Sequence, residues 1–136
     1  GLYTTATLLV MDPANGDARA LTSFEPMMSA FIGPPAWSPD GSRIAFSYGG
    51  IGQEANLYLV NSDGTNLHAL TDSEEHIDRH PSWSPDGSML TFTSNRKGGI
   101  PRIFVMNASG SDQRRLLRLK GKQTQPDWSM SKSTEN

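Results

Sequence analysis

The sequence predicts an all-β fold built from repeated four-stranded units, and three observations support this prediction. The 136 residues include 13 Gly and 9 Pro, and only 19% are charged. This composition favours short strands and tight turns over long helices. A tryptophan motif recurs at a fixed period, and each period contains apolar stretches separated by turn signals. A period of roughly 20 to 50 residues is typical of an array of one structural unit.

The repeat is marked by Trp37, Trp83 and Trp128, which are 46 and 45 residues apart. They lie in the motifs PAWSPDG, PSWSPDG and PDWSMS. Placing residues 35–71 over 81–117 without a gap gives 12 identities in 37 positions, where unrelated segments would share about 2. The unit is therefore duplicated. We interpret the three tryptophans as buried residues that pack between units.

Each unit begins with an inner strand that carries the tryptophan, followed by a turn and a second strand. Ser38-Pro39-Asp40-Gly41 fits a type I turn, because Pro fixes φ at the second position and Gly suits the fourth. After this turn, apolar residues alternate with small ones from Ile44 to Tyr48, and again around Leu90 and Phe92. This alternation predicts the second strand of each unit.

The third and fourth strands follow in the same order in both units. The apolar runs 57–60 and 103–106 predict third strands covered on both faces. Turns containing Asn and Gly follow, and then a short fourth strand that ends at Leu70 or Leu116. We place the two full units at about 33–72 and 79–118.

Incomplete units flank the two full ones within an array that spans residues 1–130. Residues 8–22 reproduce the last two strands of a unit, so we place a partial unit at 1–24. Residues 123–129 correspond to the first strand of a further unit. We expect 131–136 to be a disordered tail, because this segment has no apolar residue to pack. The chain starts with Gly partway through a repeat, so we expect a processed or excised N-terminus.

The WSPDG turn, the IAF or LTF strand after it, and the YLVNSDG and FVMNASG segments resemble the repeats of TolB-like β-propellers over residues 5–129. The resemblance implies four-stranded antiparallel blades, of which this chain holds about three blades' worth. The family includes the periplasmic TolB protein, which binds envelope proteins, and the accessory propellers of prolyl-oligopeptidase-type peptidases. We therefore expect a periplasmic or extracellular protein, and a cytoplasmic location stays open.

Three blades' worth of sequence lead us to expect a homodimer in which two copies close a six-bladed ring head to tail. An isolated half ring would leave strand edges and apolar faces uncovered. Pro126–Ser129 of one copy would complete the partial blade containing Leu8–Thr22 of the other. Residues 96–122 carry a charge of +7 and the remainder −9, which favours contact between opposite ends.

The composition also argues against several functional classes. The net charge is −2, and the basic segment has no interleaved aromatic residues, so we expect no nucleic-acid binding. The sequence contains no run of about 18 apolar residues, so we expect no membrane insertion. The sequence contains no cysteine and no G-x-S-x-G motif, so we expect neither an enzyme nor a cofactor. Asn61–Asn66 resembles a calcium loop only weakly, and we expect a turn there and no metal.

The densest polar cluster is Glu74–His80. It admits three interpretations: a metal site, a solvated loop or a partner-binding surface. The spacing of His76 and His80 occurs in some metal sites. We expect the cluster to precede a strand at Pro81, however, and residues four apart in extended chain lie about 13 Å apart. The family resemblance places such connections beside the channel mouth, where partners dock. The predicted rim residues of the binding site are Asp78, Arg79, His80 and Gln125.

The leading hypothesis is therefore a non-catalytic propeller module that binds a protein or peptide at its channel face. One alternative is an accessory propeller fragment of a prolyl-oligopeptidase-type peptidase. Another is a structural, self-assembling propeller fragment without a ligand.

Overall fold

The computed structural model describes residues 3–50, 54–96, 98–116 and 126–128. These residues form thirteen antiparallel β-strands and no helix. The predicted all-β class is confirmed. Gln125 and the predicted tail 131–136 lie outside the described residues. The strands are β1 (Tyr3–Thr4), β2 (Leu9–Met11), β3 (Ala18–Ala20), β4 (Met27–Met28), β5 (Ala30–Ile32), β6 (Ala36–Trp37), β7 (Arg43–Gly50), β8 (Ala55–Asn61), β9 (His68–Ala69), β10 (Asp78–Trp83), β11 (Met89–Ser94), β12 (Arg102–Asn107) and β13 (Arg114–Arg115).

The first blade is the sheet of β5 to β9. Its centre is the pair β7 and β8, which are bonded along their whole length, and β9 adds the outer strand. The inner strand is divided in two, since β5 pairs with the end of β7 and β6 with its start. Pro34 and Pro35 lie between the two pieces. Proline has no backbone N–H to donate to a ladder, which explains the interruption.

The second blade is the sheet of β10 to β13, in that order. Its inner strand β10 is continuous but carries a bulge between Arg79 and Ser82, where Pro81 lies. The strand begins at Asp78, so the predicted start at Pro81 is wrong. Asp78 and Arg79 pair with Ser94 and Thr93 of β11, and the bulge accommodates the proline without ending the strand.

The N-terminal hairpin consists of β2 and β3, which pair from Leu9–Ala20 to Met11–Ala18. The turn between them is closed by a hydrogen bond of 2.8 Å from the Gly16 amide to the Asp12 carbonyl. The sequence predicts this hairpin as the last two strands of a unit. It does not predict the short pairing of β1 with β4, which joins the segment before the hairpin to the segment after it.

Two apolar clusters lie on the two faces of the first blade. On one face, side chains of β7 and β8 pack against the N-terminal hairpin; this cluster is Leu8, Leu21, Ile44, Phe46, Tyr48 and Val60. On the other face, alternate residues of the same strands pack against the second blade; this cluster includes Ala45, Leu57, Leu59, Leu70, Trp83, Leu90, Phe92, Phe104 and Met106. Alternation along β7 thus places the first blade between the hairpin and the second blade.

The repeat tryptophans differ in burial. Trp83 is 7% exposed, and its indole Nε1 donates a hydrogen bond of 3.0 Å to the carbonyl of Ala36 in the preceding blade. Trp128 makes the same bond to the Ser82 carbonyl at 3.1 Å. Trp37 is 48% exposed, so its prediction as a buried residue is wrong.

The WSPDG turn has the same hydrogen bonds in both blades. In the first blade the Gly41 amide donates to the Ser38 carbonyl, as expected for the predicted type I turn. Asp40 accepts bonds from the Ser38 hydroxyl at 2.6 Å and from the Ser42 amide at 3.0 Å. These bonds, the Ser38 hydroxyl first, lower the pKa of Asp40 to about 2. Asp86 of the second blade has equivalent partners, and its pKa is also lowered to about 2.

Candidate binding site at the inner strand of the second blade

The two full blades differ in polarity at one end of the inner strand. The Asp78–His80 segment takes the place of residues 32–34, an Ile-Gly-Pro sequence, and Arg96 takes the place of Gly50. The ladder register is the same in both blades, since Ile32 pairs with Tyr48 and Asp78 with Ser94. The first blade folds without these polar residues, so the framework does not require them. They mark a candidate functional site.

Asp78 is fully buried and forms an ion pair with Arg96. Its Oδ2 lies 2.7 Å from Arg96 Nη2. Its Oδ1 is buried without a hydrogen-bond partner in the part of the chain that the structure describes. A buried charge is costly unless it is paired. The Asp78 carboxylate therefore requires Arg96, whose guanidinium it holds in place.

Arg96 is fixed from several directions. Its Nη1 donates to Gln113 Oε1 at 2.6 Å and its Nε to Ser94 Oγ at 2.9 Å. The guanidinium carbon lies 5.2 Å and 5.0 Å from the ring centroids of Phe92 and Phe104. Stacking on rings and hydrogen bonding together restrict the side chain, so the site is already ordered before any ligand arrives.

Arg79 and His80 follow Asp78 on the same strand. The Arg79 guanidinium lies 4.9 Å from the ring centroid of Phe31 in the first blade, and thus bridges the two blades. His80 has a φ of 55°, a backbone conformation that non-glycine residues adopt rarely and often at functional sites. Burial, and then the charge of Arg79, lower the pKa of His80, so the imidazole is neutral at neutral pH.

Four adjacent side chains carry buried polar atoms that lack a hydrogen-bond partner among the described residues. These atoms are Asp78 Oδ1, Arg79 Nε, His80 Nδ1 and Thr93 Oγ1. Thr93 belongs to the group because it pairs with Arg79 in the ladder. Most buried polar atoms in folded proteins are hydrogen-bonded. Ser47 Oγ, at the position of Thr93 in the first blade, is a further exception. The exceptions at Asp78, Arg79 and His80 have no polar counterpart in the first blade, where Ile32, Gly33 and Pro34 stand.

A cleft of about 250 Å³ adjoins this cluster. The cleft is lined by the connection between β9 and β10, by the Asp78–Arg96 ion pair and by the residue before β13. The lining residues are Thr71, Asp72, Ser73, His76, Asp78, Arg96 and Gln113. Both signs of charge and several hydroxyl groups are present. Such a lining suits a polar ligand with its own donors and acceptors.

The structure brings together three of the four rim residues predicted from the sequence, namely Asp78, Arg79 and His80. Their assignment to a binding site stays a prediction, and Gln125 lies outside the described residues. Sequence reasoning did not assign Arg96 or Gln113 to the site. Comparing the repeats position by position would have found Arg96, because it is a charged residue where the first blade has Gly50.

The described residues contain no group of three or more His, Asp or Glu side chains that could hold a metal ion. The Asn61–Gly64 segment is a turn, closed by a 2.8 Å bond from the Gly64 amide to the Asn61 carbonyl. Within the described ranges, no helix is long and apolar enough to span a membrane.

Comparison with known families identifies the repeat. The family model of the TolB beta propeller domain matches residues 3–134. The chain belongs to the TolB β-propeller family. Among solved structures it is similar to TolB from Acinetobacter baumannii, with a TM-score of 0.72 and 27% identity. That match covers 90% of this chain but 29% of the other, so the chain spans less than a third of that protein. No curated protein sequence matches the chain significantly.

Two enzymes share the TolB-type fold. An oligogalacturonate lyase in complex with manganese is 28% identical with a TM-score of 0.59, over 78% of this chain and 28% of its own. A puromycin hydrolase is 20% identical with a TM-score of 0.60, over 75% of this chain and 16% of its own. The likeness to the hydrolase shows the fold alone. Because one fold accompanies different functions, the function must be argued from the site.

Proposed function

We propose that this TolB-family chain is a non-catalytic binding module that holds a protein or peptide segment at the channel face of a propeller. The observation that carries the proposal is the break in the repeat at Asp78–His80 and Arg96. It places buried polar atoms of Asp78, Arg79 and His80 without described partners on one strand, and Asp78 and Arg96 line a cleft beside it. A peptide offers alternating donors and acceptors along its backbone, which matches the mixed character of these atoms.

The residues have different roles in this proposal. Arg79 and His80 are half-buried and contact the peptide directly. Asp78 is fully buried and acts as a positioning residue for Arg96, whose guanidinium lines the cleft. The neutral imidazole of His80 carries one proton, so it can donate from one ring nitrogen and accept at the other.

The proposal extends to activity and location. A non-catalytic role is supported by the sequence, which has neither a G-x-S-x-G nucleophile motif nor a cysteine. Membership of the TolB family supports a periplasmic location. The alternative of an accessory peptidase propeller rests on a likeness to a puromycin hydrolase that concerns the fold alone. No contact in the site favours that alternative.

The proposal is tested by selecting peptides from a random display library against the intact chain. Selected peptides should lose at least tenfold in affinity against Arg79→Ala and against His80→Ala, because each change removes a polar contact. The matched controls are Arg114→Ala and His68→Ala, which alter exposed residues of the outer strands β13 and β9. Both controls should bind the peptides as tightly as the unchanged chain.

Two results would contradict the proposal. The first is a selection that yields no saturable binder to the folded chain. The second is a set of binders whose affinity falls equally for the inner-strand variants and for the outer-strand controls.

A further inference from the structure

The hairpin turn between β2 and β3 contains a chemically labile pair of residues. Asn15 is followed by Gly16, and this is the one Asn-Gly pair among the seven asparagines of the sequence. The carboxamide carbon of an asparagine can be attacked by the backbone nitrogen of the next residue, which closes a succinimide ring. A glycine at the next position favours this attack, because it has no side chain in the way and a wide choice of backbone conformations.

The Asn15 side chain is exposed, and the repeat shows that this exposure is a property of the turn. Asp63 and Ser109 occupy the same position in the corresponding turns of the two full blades. Both are exposed, although the glycine after each of them lies against a leucine of the preceding unit. The side chain at this position therefore stays accessible to water even in a turn that a neighbouring unit covers.

Both polar atoms of the Asn15 carboxamide are bonded to Asp17. The Oδ1 atom accepts a hydrogen bond of 2.9 Å from the Asp17 backbone amide, and Nδ2 donates one of 2.9 Å to Asp17 Oδ2. Negative charge develops on Oδ1 when a nucleophile attacks the carboxamide carbon, so a donor at this oxygen stabilises the reacting state. The turn thus holds the carboxamide in one orientation, with a donor at the oxygen on which charge develops.

One hydrogen bond of the turn opposes the reaction. The Gly16 amide, which supplies the attacking nitrogen, donates to the Asp12 carbonyl at 2.8 Å. This amide must leave the bond and lose its proton before its nitrogen can attack. We therefore expect the folded chain to react more slowly than the unfolded chain, and at a rate that rises with pH.

The Asp-Gly pairs of the other turns are less reactive. They begin at Asp40, Asp63 and Asp86. A carboxyl group closes the same ring readily only when it is protonated, because an ionised carboxylate has a poor leaving group. In each pair a hydrogen bond from a neighbouring hydroxyl, and then one from a backbone amide, lowers the pKa of the aspartate. These three groups are ionised at neutral pH, whereas the Asn15 carboxamide carries no charge.

We propose that Asn15 is a site of spontaneous deamidation that forms aspartate and isoaspartate. The Gly16 nitrogen bonds to Asn15 Cγ, the Cγ–Nδ2 bond breaks, and ammonia leaves with the proton of the Gly16 amide. Water then opens the succinimide ring. Cleavage at Cγ gives aspartate, and cleavage at the backbone carbonyl carbon of Asn15 gives isoaspartate, whose main chain runs through Cγ. The net reaction consumes one water and releases one ammonia.

Both products change the end of the hairpin. Each adds a carboxylate close in sequence to Asp12 and Asp17. Isoaspartate also adds a methylene to the main chain of a turn that is closed by a 2.8 Å bond from the Asp12 amide to the Asp17 carbonyl. The free α-carboxylate of isoaspartate is the group that one class of S-adenosylmethionine-dependent carboxyl methyltransferases modifies. The aged turn is therefore a substrate for this class of enzyme.

Ageing of the intact chain in buffers of rising pH tests the proposal. Peptide mass spectrometry should show a gain of about 1 Da at Asn15, faster at higher pH. Methyl transfer from labelled S-adenosylmethionine should detect isoaspartate in the same peptide. Asn61 and Asn107 begin the corresponding turns of the full blades and precede residues with side chains, so they should stay unmodified as internal controls.

Two variants separate this reaction from other changes with age. Asn15→Gln should remove both signals over the same period, because glutamine has to close a larger ring. Gly16→Ala should slow both about tenfold, since a β-carbon restricts the attacking backbone. Isoaspartate formed by Asn15→Gln at the level of the unchanged chain would overturn the proposal, because it would arise at another residue.

The chain unfolded in urea separates the effect of the fold from that of the sequence. It should react at Asn15 faster than the folded chain, because the Gly16 amide is released from the Asp12 carbonyl. A folded chain that keeps Asn15 unchanged while the unfolded chain reacts would overturn the proposal, since the turn would then protect the residue. Equal gains of mass at Asn15, Asn61 and Asn107 would also overturn it.

Discussion

At the residue scale, Trp83 has two partners in the preceding blade. Its indole N–H donates to the Ala36 carbonyl, and the Arg43 guanidinium lies 4.8 Å from its ring centroid. Its ring belongs to the apolar cluster between the two blades. A single side chain therefore contributes apolar burial, a hydrogen bond and a cation–π contact to one interface.

Trp83→Ala should lower the free energy of unfolding by roughly 3 to 5 kcal/mol, because it opens a cavity and removes the donor to Ala36. His76→Ala should cost under about 0.5 kcal/mol, since this half-buried side chain lies in the connection before β10. Urea unfolding at one protein concentration measures both. Equal shifts of the two midpoints would show that core and connection are assigned wrongly.

The two turn aspartates predict an acid-dependent loss of stability. The folded-state pKa of Asp40 and Asp86 is about 2, below the ordinary value of 3.8. Their contribution is therefore fully present above pH 3.8 and is lost as the pH falls towards about 2. The double variant Asp40→Asn with Asp86→Asn should lose less stability than the unchanged chain over this range. Urea midpoints at both ends of the range test this, and equal losses would contradict it.

Part of the candidate site can be predicted from residue types alone. Asp78, Arg79 and His80 stand out because they take the place of Ile32, Gly33 and Pro34 of the first blade. Their burial does not follow from the sequence, because it depends on Arg96 reaching back from the end of β11 to the carboxylate. Likewise, the repeat predicts that a tryptophan stands at position 37 but not that its side chain is half exposed, because exposure depends on which residues pack against it.

At the element scale, three corresponding hairpin turns contain a glycine with positive φ and have different surroundings. The glycines at this position are Gly16, Gly64 and Gly110, with φ values of 77°, 91° and 87°. A Cβ at Gly16 would meet no atom within 4 Å, whereas a Cβ at Gly110 would lie 2.8 Å from the Leu70 carbonyl oxygen. The turn of the second blade thus packs directly on Leu70, the residue after the outer strand β9 of the first blade.

Gly110→Ala should therefore destabilise the chain more than Gly16→Ala. Both changes force a β-carbon into a left-handed backbone conformation, at about 1 kcal/mol each. Gly110→Ala adds a clash with the Leu70 backbone, of about 1 to 3 kcal/mol. Urea unfolding of the two variants measures the difference. Equal destabilisation would mean that the contact between the blades at this turn is looser than the structure shows.

The elements of the blades follow from the sequence to different degrees. Alternation around Phe46 and Phe92 predicts the second strands, because the large apolar side chains on one face of each strand pack into an apolar cluster. The division of the inner strand at Pro34 follows once the strand pairing is known, because proline has no backbone N–H to donate to the neighbouring strand. The pairing of β1 with β4 could not be predicted, because strands of two residues have no detectable periodicity.

At the scale of the whole molecule, the repeat separates framework from function. The WSPDG turns, the apolar ladders and the glycine turns recur, and they account for the packing of the hairpin and the two blades. The polar residues at the inner end of the second blade are absent from the same positions of the first blade, and Asp78 and Arg96 line the cleft. This contrast is the basis for proposing that the cleft binds a ligand.

Hydrogen exchange of the chain with a selected peptide bound tests the central claim most directly. The account predicts slower exchange at the backbone amides of Ile77–His80 and of Asn95 and Arg96. It predicts unchanged exchange at residues 31–33, the corresponding part of the first blade. Equal protection in both blades, or protection confined to the outer strands β9 and β13, would contradict the claim that the non-repeating residues form the binding site.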